Sequence, residues 1–229
     1  MDNSKAIDFV FLFLSTYTLP ALLGIIGILA CLRYIFRKNI AQSRLEKFFS
    51  FRNLIIGGIC ARIINAALLM YMQYSIWSEG GLGNYFLTAP LPKDLPIVGI
   101  KSYGVLFMNK FGYFLFYSWG RFWLSVVISV FAAYIFYVFL RVLSKKTERF
   151  FDEGEQELGF ICALIVGWPL FVVFIPLVFF SVVVVSITRL IVFKEPYTTL
   201  GIPFILAMII LFLFGGYAMD LLGLAVLKV

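Results

Sequence analysis

Long runs of apolar residues, separated by short polar segments, dominate the chain from residue 9 onward. About 20 consecutive apolar residues cover the hydrocarbon core of a bilayer, and five runs reach that length. The predicted membrane-spanning segments are TM1 at 9–36, TM2 at 54–77, TM3 at 111–140, TM4 at 158–188 and TM5 at 201–224. This pattern predicts an all-α integral membrane protein, a polytopic helical bundle that forms one transmembrane domain over residues 1–229.

TM4 is the least regular of these segments, because Pro169 and Pro176 interrupt it. Proline removes a backbone N–H and breaks or kinks a helix. The segment therefore either spans once with a kink or enters and leaves as a re-entrant hairpin, which requires protein or water to cover the broken backbone. A kinked span predicts that the C-terminus lies inside, and a hairpin predicts that it lies outside.

Charge asymmetry between the polar segments predicts the orientation. Residues 33–52 hold six basic residues and one acid, and a second basic cluster lies at 141–149. The segment at 78–110 is instead rich in glycine and proline and nearly balanced in charge. Because basic loops remain on the cytoplasmic side, this segment is predicted to be an outer loop, and the five-span arrangement is N-out and C-in.

Composition supports a lipid environment and weakens the case for nucleic acid. The chain is 62% hydrophobic and 14% charged, whereas soluble domains contain about 45–50% apolar and about 25% charged residues. The net charge of +7 is spread over short loops and not gathered on a face that nucleic acid would need. The expected partners are the lipid bilayer and other membrane subunits or a second copy of the chain, in a plasma or inner membrane.

Ionisable groups inside predicted spans are the first candidates for a functional site, since each costs about 2.5–3.5 kcal/mol to insert. Arg62 and Asn65 share one face of TM2, Arg121 lies in TM3, and Asp220 is the acid within TM5. Asp220 is predicted to pair with Arg62 or Arg121, which would remove an unpaired charge. Alternatively, the four residues line a hydrated path, or Arg121 and Asp220 reach the interface.

Two helical faces extend these candidates. TM3 carries an i, i+4 series whose hydroxyl groups are able to bond to a neighbouring helix: Tyr117, Arg121, Ser125, Ser129 and Ala133. In TM5, Gly216 and Gly223 lie on the same face as Asp220. Glycine there allows the backbone of another helix to approach closely.

A cluster of carboxylates precedes TM4, formed by Asp152, Glu153, Glu155 and Glu157. Such a group resembles in kind the carboxylates that hold Mg²⁺. Carboxylates in a first helical turn also complement the helix dipole, and nearby basic residues favour a surface ion-pair network. The network is the preferred interpretation, so no metal and no cofactor is predicted.

The absence of histidine excludes Ser/His and Cys/His nucleophilic sites and histidine-ligated zinc or haem. The sequence therefore favours a non-catalytic interaction or scaffold subunit of a membrane complex. A small permease, pore or channel lined by the polar faces of TM2, TM3 and TM5 is the alternative. A membrane enzyme that acts on a lipid-linked substrate is the third hypothesis.

Overall fold

The computed structural model describes residues 3–37, 50–91, 110–146, 151–192, 194 and 199–227, of which 3–16 and 225 are described by their backbone alone. The described part is all-helical. Its helices are α1 (Asn3–Ile35), α2 (Phe51–Glu79), α3 (Gly81–Thr88), α4 (Gly112–Ser118), α5 (Leu124–Lys146), α6 (Glu155–Val166), α7 (Phe171–Val192) and α8 (Gly201–Leu221). A π-helical turn, Trp119–Trp123, joins α4 to α5, and a 3₁₀ turn, Leu224–Leu227, follows α8.

Five helical segments of the described chain are long and apolar enough to cross a membrane. They are Tyr17–Ile35, Phe51–Glu79, Gly112–Lys146, Phe171–Val192 and Gly201–Leu221. This result confirms the predicted class of multi-pass helical membrane protein. Much of the predicted outer loop (92–109) and of the first basic cluster (38–49), together with 147–150 of the second, lies outside the described residues.

The chain forms two compact units. The large unit comprises Leu19–Arg62 and Val126–Lys228, and the small unit comprises Ile63–Ser125 with Met1–Thr18 and Val229. The large unit is built around α6, in which every residue from Leu158 to Ile165 is buried. A helix that is apolar on all sides must be enclosed by other helices, and α6 satisfies this requirement.

Helix α6 and its successor replace the single predicted segment TM4. The chain leaves α6 at Gly167, passes through a cis Trp168–Pro169 peptide and enters α7 at Phe171. A helix of 12 residues is about 18 Å long, too short to cross a hydrocarbon core of about 30 Å. The helix therefore breaks fully at the first proline, whereas Pro176 lies inside α7 and does not end it.

The segment from α6 to Leu170 contacts α8 at two points. Glu155, the first residue of α6, is hydrogen-bonded to the backbone of Leu200 and Gly201, where α8 begins. At the other end, a Cβ on Gly215 of α8 would touch the Leu170 side chain. Helices α6 and α8 thus run in the same direction, and α7 makes the return between them.

The small unit is held by aromatic rings at the start of the predicted outer loop. Trp77, near the end of α2, packs against four rings at centroid distances of 5.1–6.3 Å: Phe86, Tyr113, Phe114 and Tyr117. Helix α3 brings Phe86 to this group and α4 brings the other three. These rings, called the Trp77 cluster below, join three helices of the small unit without a charged contact.

Candidate functional site

The N-terminal end of α6 carries a fully buried carboxylate. Glu155 is 0% exposed, and four donors surround its two oxygen atoms. Tyr34 Oη donates to Oε1 at 2.6 Å and the Gly201 amide at 2.7 Å, while the amides of Asp152 and Leu200 donate to Oε2 at 3.1 and 3.2 Å. Because the positive ends of two helix dipoles meet at this point, a buried negative charge is stabilised there.

Two glycines permit this geometry. Gly154 precedes α6 with φ of 86°, a left-handed conformation that favours glycine, and this turns the chain into the helix. Gly201 lies directly against the ring of Tyr34, so that a Cβ at this position would overlap the phenol. The close approach of α8 to α1 therefore depends on Gly201.

The C-terminal end of α6 carries a buried guanidinium. Arg62 of α2 is 7% exposed, and it donates from Nε and Nη2 to the carbonyl of Leu164 at 2.9 and 2.6 Å. Nη2 also donates to the Ile165 carbonyl at 3.2 Å, and Nη1 donates to Ser129 Oγ at 3.4 Å. A cation at a helix C-terminus matches the negative end of the dipole.

The last carbonyl groups of a helix have no amide donor within the helix. The hydrogen bonds at the end of α6 supply donors for three of them. The Ala163 carbonyl accepts the amide of Gly167, and Arg62 provides donors for the next two carbonyls. Gly167 has φ of 65°, and a Cβ there would overlap the guanidinium of Arg62. In an apolar interior a carbonyl without a partner costs about 1–3 kcal/mol, so Arg62 makes the break at Gly167 possible.

The four intramembrane candidates differ in their environments. Arg62 takes its partners from α6 and Ser129, and not from Asp220 of the same unit. Asn65 is buried, and its Oδ1 has no hydrogen-bond partner in the described part of the chain. Arg121 is exposed within the π-helical turn. Asp220 is exposed at the penultimate position of α8.

The π-helical turn explains why the predicted i, i+4 series in TM3 is interrupted. A π turn contains more residues than an α turn, and the residues beyond it are rotated relative to those before it. Ser129 and Ala133 of α5 are buried, whereas Arg121 is exposed. Arg121 therefore does not continue the buried face of α5.

The acidic cluster before TM4 is divided among different environments. Asp152 accepts a hydrogen bond from Arg37 at 2.9 Å, and this bond holds the pKa of Arg37 above its ordinary value. Glu155 is buried as described, Glu153 is exposed and Glu157 is partly exposed. Arg37 and Asp152 thus form an ion pair, and the other three carboxylates of the cluster do not share it.

Helix α8 carries an unfilled face next to Asp220. A Cβ placed on Gly216 would meet no atom within 4 Å, and the Asp220 carboxylate forms no hydrogen bond or ion pair within the described chain. Gly223, predicted for the same face, has φ of 62° and lies in the turn after the helix. The face therefore consists of Gly216 and Asp220, one helical turn apart.

Sequence reasoning missed the partners of both buried charges. Tyr34, near the end of TM1, is not among the candidates named from the sequence, yet it donates a hydrogen bond to the carboxylate of Glu155. The donor role of Arg62 toward α6 was also missed, because the relevant carbonyls are invisible in sequence. The Gly-Trp-Pro sequence at 167–169 was the available signal, since glycine followed by proline marks a helix end.

Comparison with known protein families, with curated proteins and with solved structures finds no match to this chain. The function must therefore be inferred from the arrangement of its own residues.

Proposed function

We propose that this multi-pass membrane protein is a non-catalytic interaction subunit, which docks a partner helix on the Gly216 and Asp220 face of α8. The supporting observation is the carboxylate of Asp220. It lies in the last turn of a helix, where the dipole disfavours a negative charge, and no described residue donates to it. The Asp220 carboxylate therefore does not stabilise the chain alone. A cation from a partner would offset the cost of a negative charge at this helix end.

Charge and shape together define the partner. The partner is a transmembrane helix with a lysine or arginine near the membrane boundary, and the missing side chain at Gly216 allows its backbone to approach. Symmetric pairing of two copies through this face would place two Asp220 carboxylates opposite each other. The repulsion between them favours a different chain as the partner.

The test is copurification of the full chain from mildly solubilised membranes, in which Asp220→Asn and Gly216→Ile are compared with Leu213→Phe, a control at an exposed position of α8. We expect one partner to be lost from both face variants and retained by the control. Copurification of that partner should be restored when the two charges are exchanged, that is, when Asp220→Lys is combined with a change of the partner's basic residue to Asp. Identical partners for all four proteins would refute the proposal.

We further propose that α6 and α7 form the re-entrant hairpin that is one of the two alternatives for TM4, which gives an N-out and C-out arrangement in place of N-out and C-in. The C-terminal end of α1, represented by Tyr34, and the first residues of α6 and α8 share hydrogen bonds at Glu155. If the flanking basic segments are cytoplasmic, α8 runs outward.

The direction of α8 is tested by labelling single cysteines on a cysteine-free background with an impermeant reagent. A cysteine at Val226 should then react from outside and one at Ser144 from inside. Labelling of both from inside would exclude the hairpin topology.

A small permease or pore remains the second candidate, because broken helices occur at transporter binding sites. The break at Gly167 is the observation in its favour. Against it, the guanidinium of Arg62 and the hydroxyl of Ser129 are both engaged at that break. Purified protein in liposomes should conduct no ions, and flux that Arg62→Lys alters without unfolding would favour the pore over the interaction subunit.

A further inference from the structure

A lateral groove in the large unit lies between α2, α5 and α6. Its volume is about 360 Å³, within the range of small-molecule sites, about 300–1,000 Å³. Seven residues line it: Arg52, Ile55, Ile56, Tyr134, Tyr137, Glu157 and Phe160. The groove shares no residue with the Gly216 and Asp220 face, and it has no role in the interaction that we propose above.

The floor of the groove is apolar and firmly packed. Phe160 is 6% exposed, and its ring meets that of Tyr137 edge to face at a centroid distance of 5.9 Å. Ile55 and Ile56 of α2 and Tyr134 of α5 form the sides. Such a surface suits an acyl chain or another slender apolar group, because its lining excludes water from most of the contact.

Both signs of charge occur among the groove residues. Arg52 is in the first turn of α2 and Glu157 in the first turn of α6. Although both line the groove, their side chains form no ion pair with each other, and neither side chain makes a hydrogen bond or ion pair to any other described residue. The hydroxyl groups of Tyr134 and Tyr137 likewise make no hydrogen bond within the described chain.

The depth of these groups matches one leaflet of a bilayer. Arg52 is the second residue of a predicted span, and so lies near the membrane boundary. The predicted TM3 ends at residue 140, so Tyr137 and Tyr134 lie about 4.5 and 9 Å inside that end along the helix. The charged end of the groove is therefore expected at the level of lipid headgroups, and its aromatic part where the acyl chains begin.

We propose that this groove is a binding site for a zwitterionic phospholipid, with phosphatidylethanolamine as the best match. The phosphate would bind Arg52, the ammonium group would bind Glu157, and one acyl chain would lie on Phe160 and Tyr137. An anionic lipid without an amine satisfies Arg52 but brings its phosphate close to the Glu157 carboxylate. The presence of both charges therefore selects a headgroup that itself carries both charges.

The test is native mass spectrometry of the full-length protein in detergent, titrated with phosphatidylethanolamine or with phosphatidylglycerol of the same acyl chains. We expect the wild-type protein to bind the ethanolamine lipid more tightly. Arg52→Gln and Glu157→Gln should each weaken that binding roughly three- to fivefold, the range for a partly exposed ion pair. Glu157→Gln should in addition reverse the preference, because only the cation then remains.

Matched controls separate this site from general lipid contact. Arg141→Gln, near the end of α5, and Glu153→Gln, just before α6, each remove a charge of the same sign from an exposed position that does not line the groove. They should bind both lipids as the wild type does. Ile56→Trp, which fills the groove without changing charge, should abolish the preference, and the thermal midpoint of each variant reports whether it is folded.

Equal binding of both lipids by the wild type would overturn the proposal. So would Arg52→Gln and Glu157→Gln variants that behave like their controls, since the lipid would then be held only by general contact with the apolar surface. A wild type that prefers phosphatidylglycerol would show that Arg52 acts alone, and the zwitterionic site would be rejected.

Discussion

The large and small units stabilise buried groups by different means. In the large unit, the buried charges of Arg62 and Glu155 lie at the two ends of α6, each hydrogen-bonded and each matched to a helix dipole. In the small unit, the Trp77 cluster joins three helices through ring contacts, while Asn65 Oδ1 and Ser118 Oγ are buried without a hydrogen-bond partner among the described residues.

This difference shows when a buried polar group contributes to stability. A buried charge is favourable only if its partners replace the water it has lost. Helix ends supply several aligned donors or acceptors in one place, and α6 uses both of its ends in this way. An isolated amide or hydroxyl gains no such compensation, so ring packing provides the more effective contact in the small unit.

The strongest test removes the guanidinium at the C-terminal end of α6. Arg62→Ala should lower the free energy of unfolding by about 3–5 kcal/mol, because it leaves buried carbonyls without donors. Unfolding by SDS titration in mixed micelles measures the effect. Arg121→Ala, an exposed arginine of the small unit, is the control and should cost less than about 1 kcal/mol. Equal losses would show that Arg62 is not a cap.

Removal of the charge at the N-terminal end of α6 should lower the free energy of unfolding less than Arg62→Ala does. Glu155→Gln retains one oxygen acceptor but removes the charge and places an NH₂ group next to backbone donors. We expect a loss of about 2–3 kcal/mol in the same titration. Glu153→Gln, at an exposed neighbouring position, should change stability by no more than about 0.5 kcal/mol. If the two variants match, the charge of Glu155 is not required.

The small unit is tested through its central ring. Trp77→Leu removes four ring contacts but retains an apolar side chain, and it should lower stability by about 1.5–2 kcal/mol. Trp119→Leu is the control, since Trp119 is 46% exposed. Near-ultraviolet circular dichroism together with the thermal midpoint distinguishes local loss of ring packing from unfolding. A larger effect of Trp119→Leu would contradict the central position of Trp77.

The smallest expected effect is on a variant that is not destabilised, whereas the variants above all have a lower free energy of unfolding. Ser118 is 1% exposed, and its Oγ has no hydrogen-bond partner among the described residues. Ser118→Ala should therefore be neutral or stabilising by up to about 1 kcal/mol. Ser129→Ala is the contrast, because Ser129 Oγ accepts from Arg62 and from the Trp168 amide, and it should be destabilising. Similar destabilisation by both variants would mean that Ser118 has a partner after all.

The sequence by itself determined the class of the protein and most of its helices. Apolar runs of sufficient length depend only on local composition, so five helices long and apolar enough to cross a membrane were predictable. An interruption of TM4 at Pro169 was also predicted, because proline breaks or kinks a helix, although the sequence left open which of the two occurs there. The candidate residue Arg62 was found for the same reason, since a charge inside an apolar run is conspicuous without any structure.

Only the tertiary structure decided what those residues contact. The acceptors of Arg62 are backbone carbonyls more than a hundred positions away, and every residue type has such a carbonyl. Glu155 appeared as one of four similar carboxylates until folding buried it between the amides of Leu200 and Gly201. Composition fixes which segments enter the lipid, whereas the meeting of helix ends from distant parts of the chain fixes which buried charges are stable there.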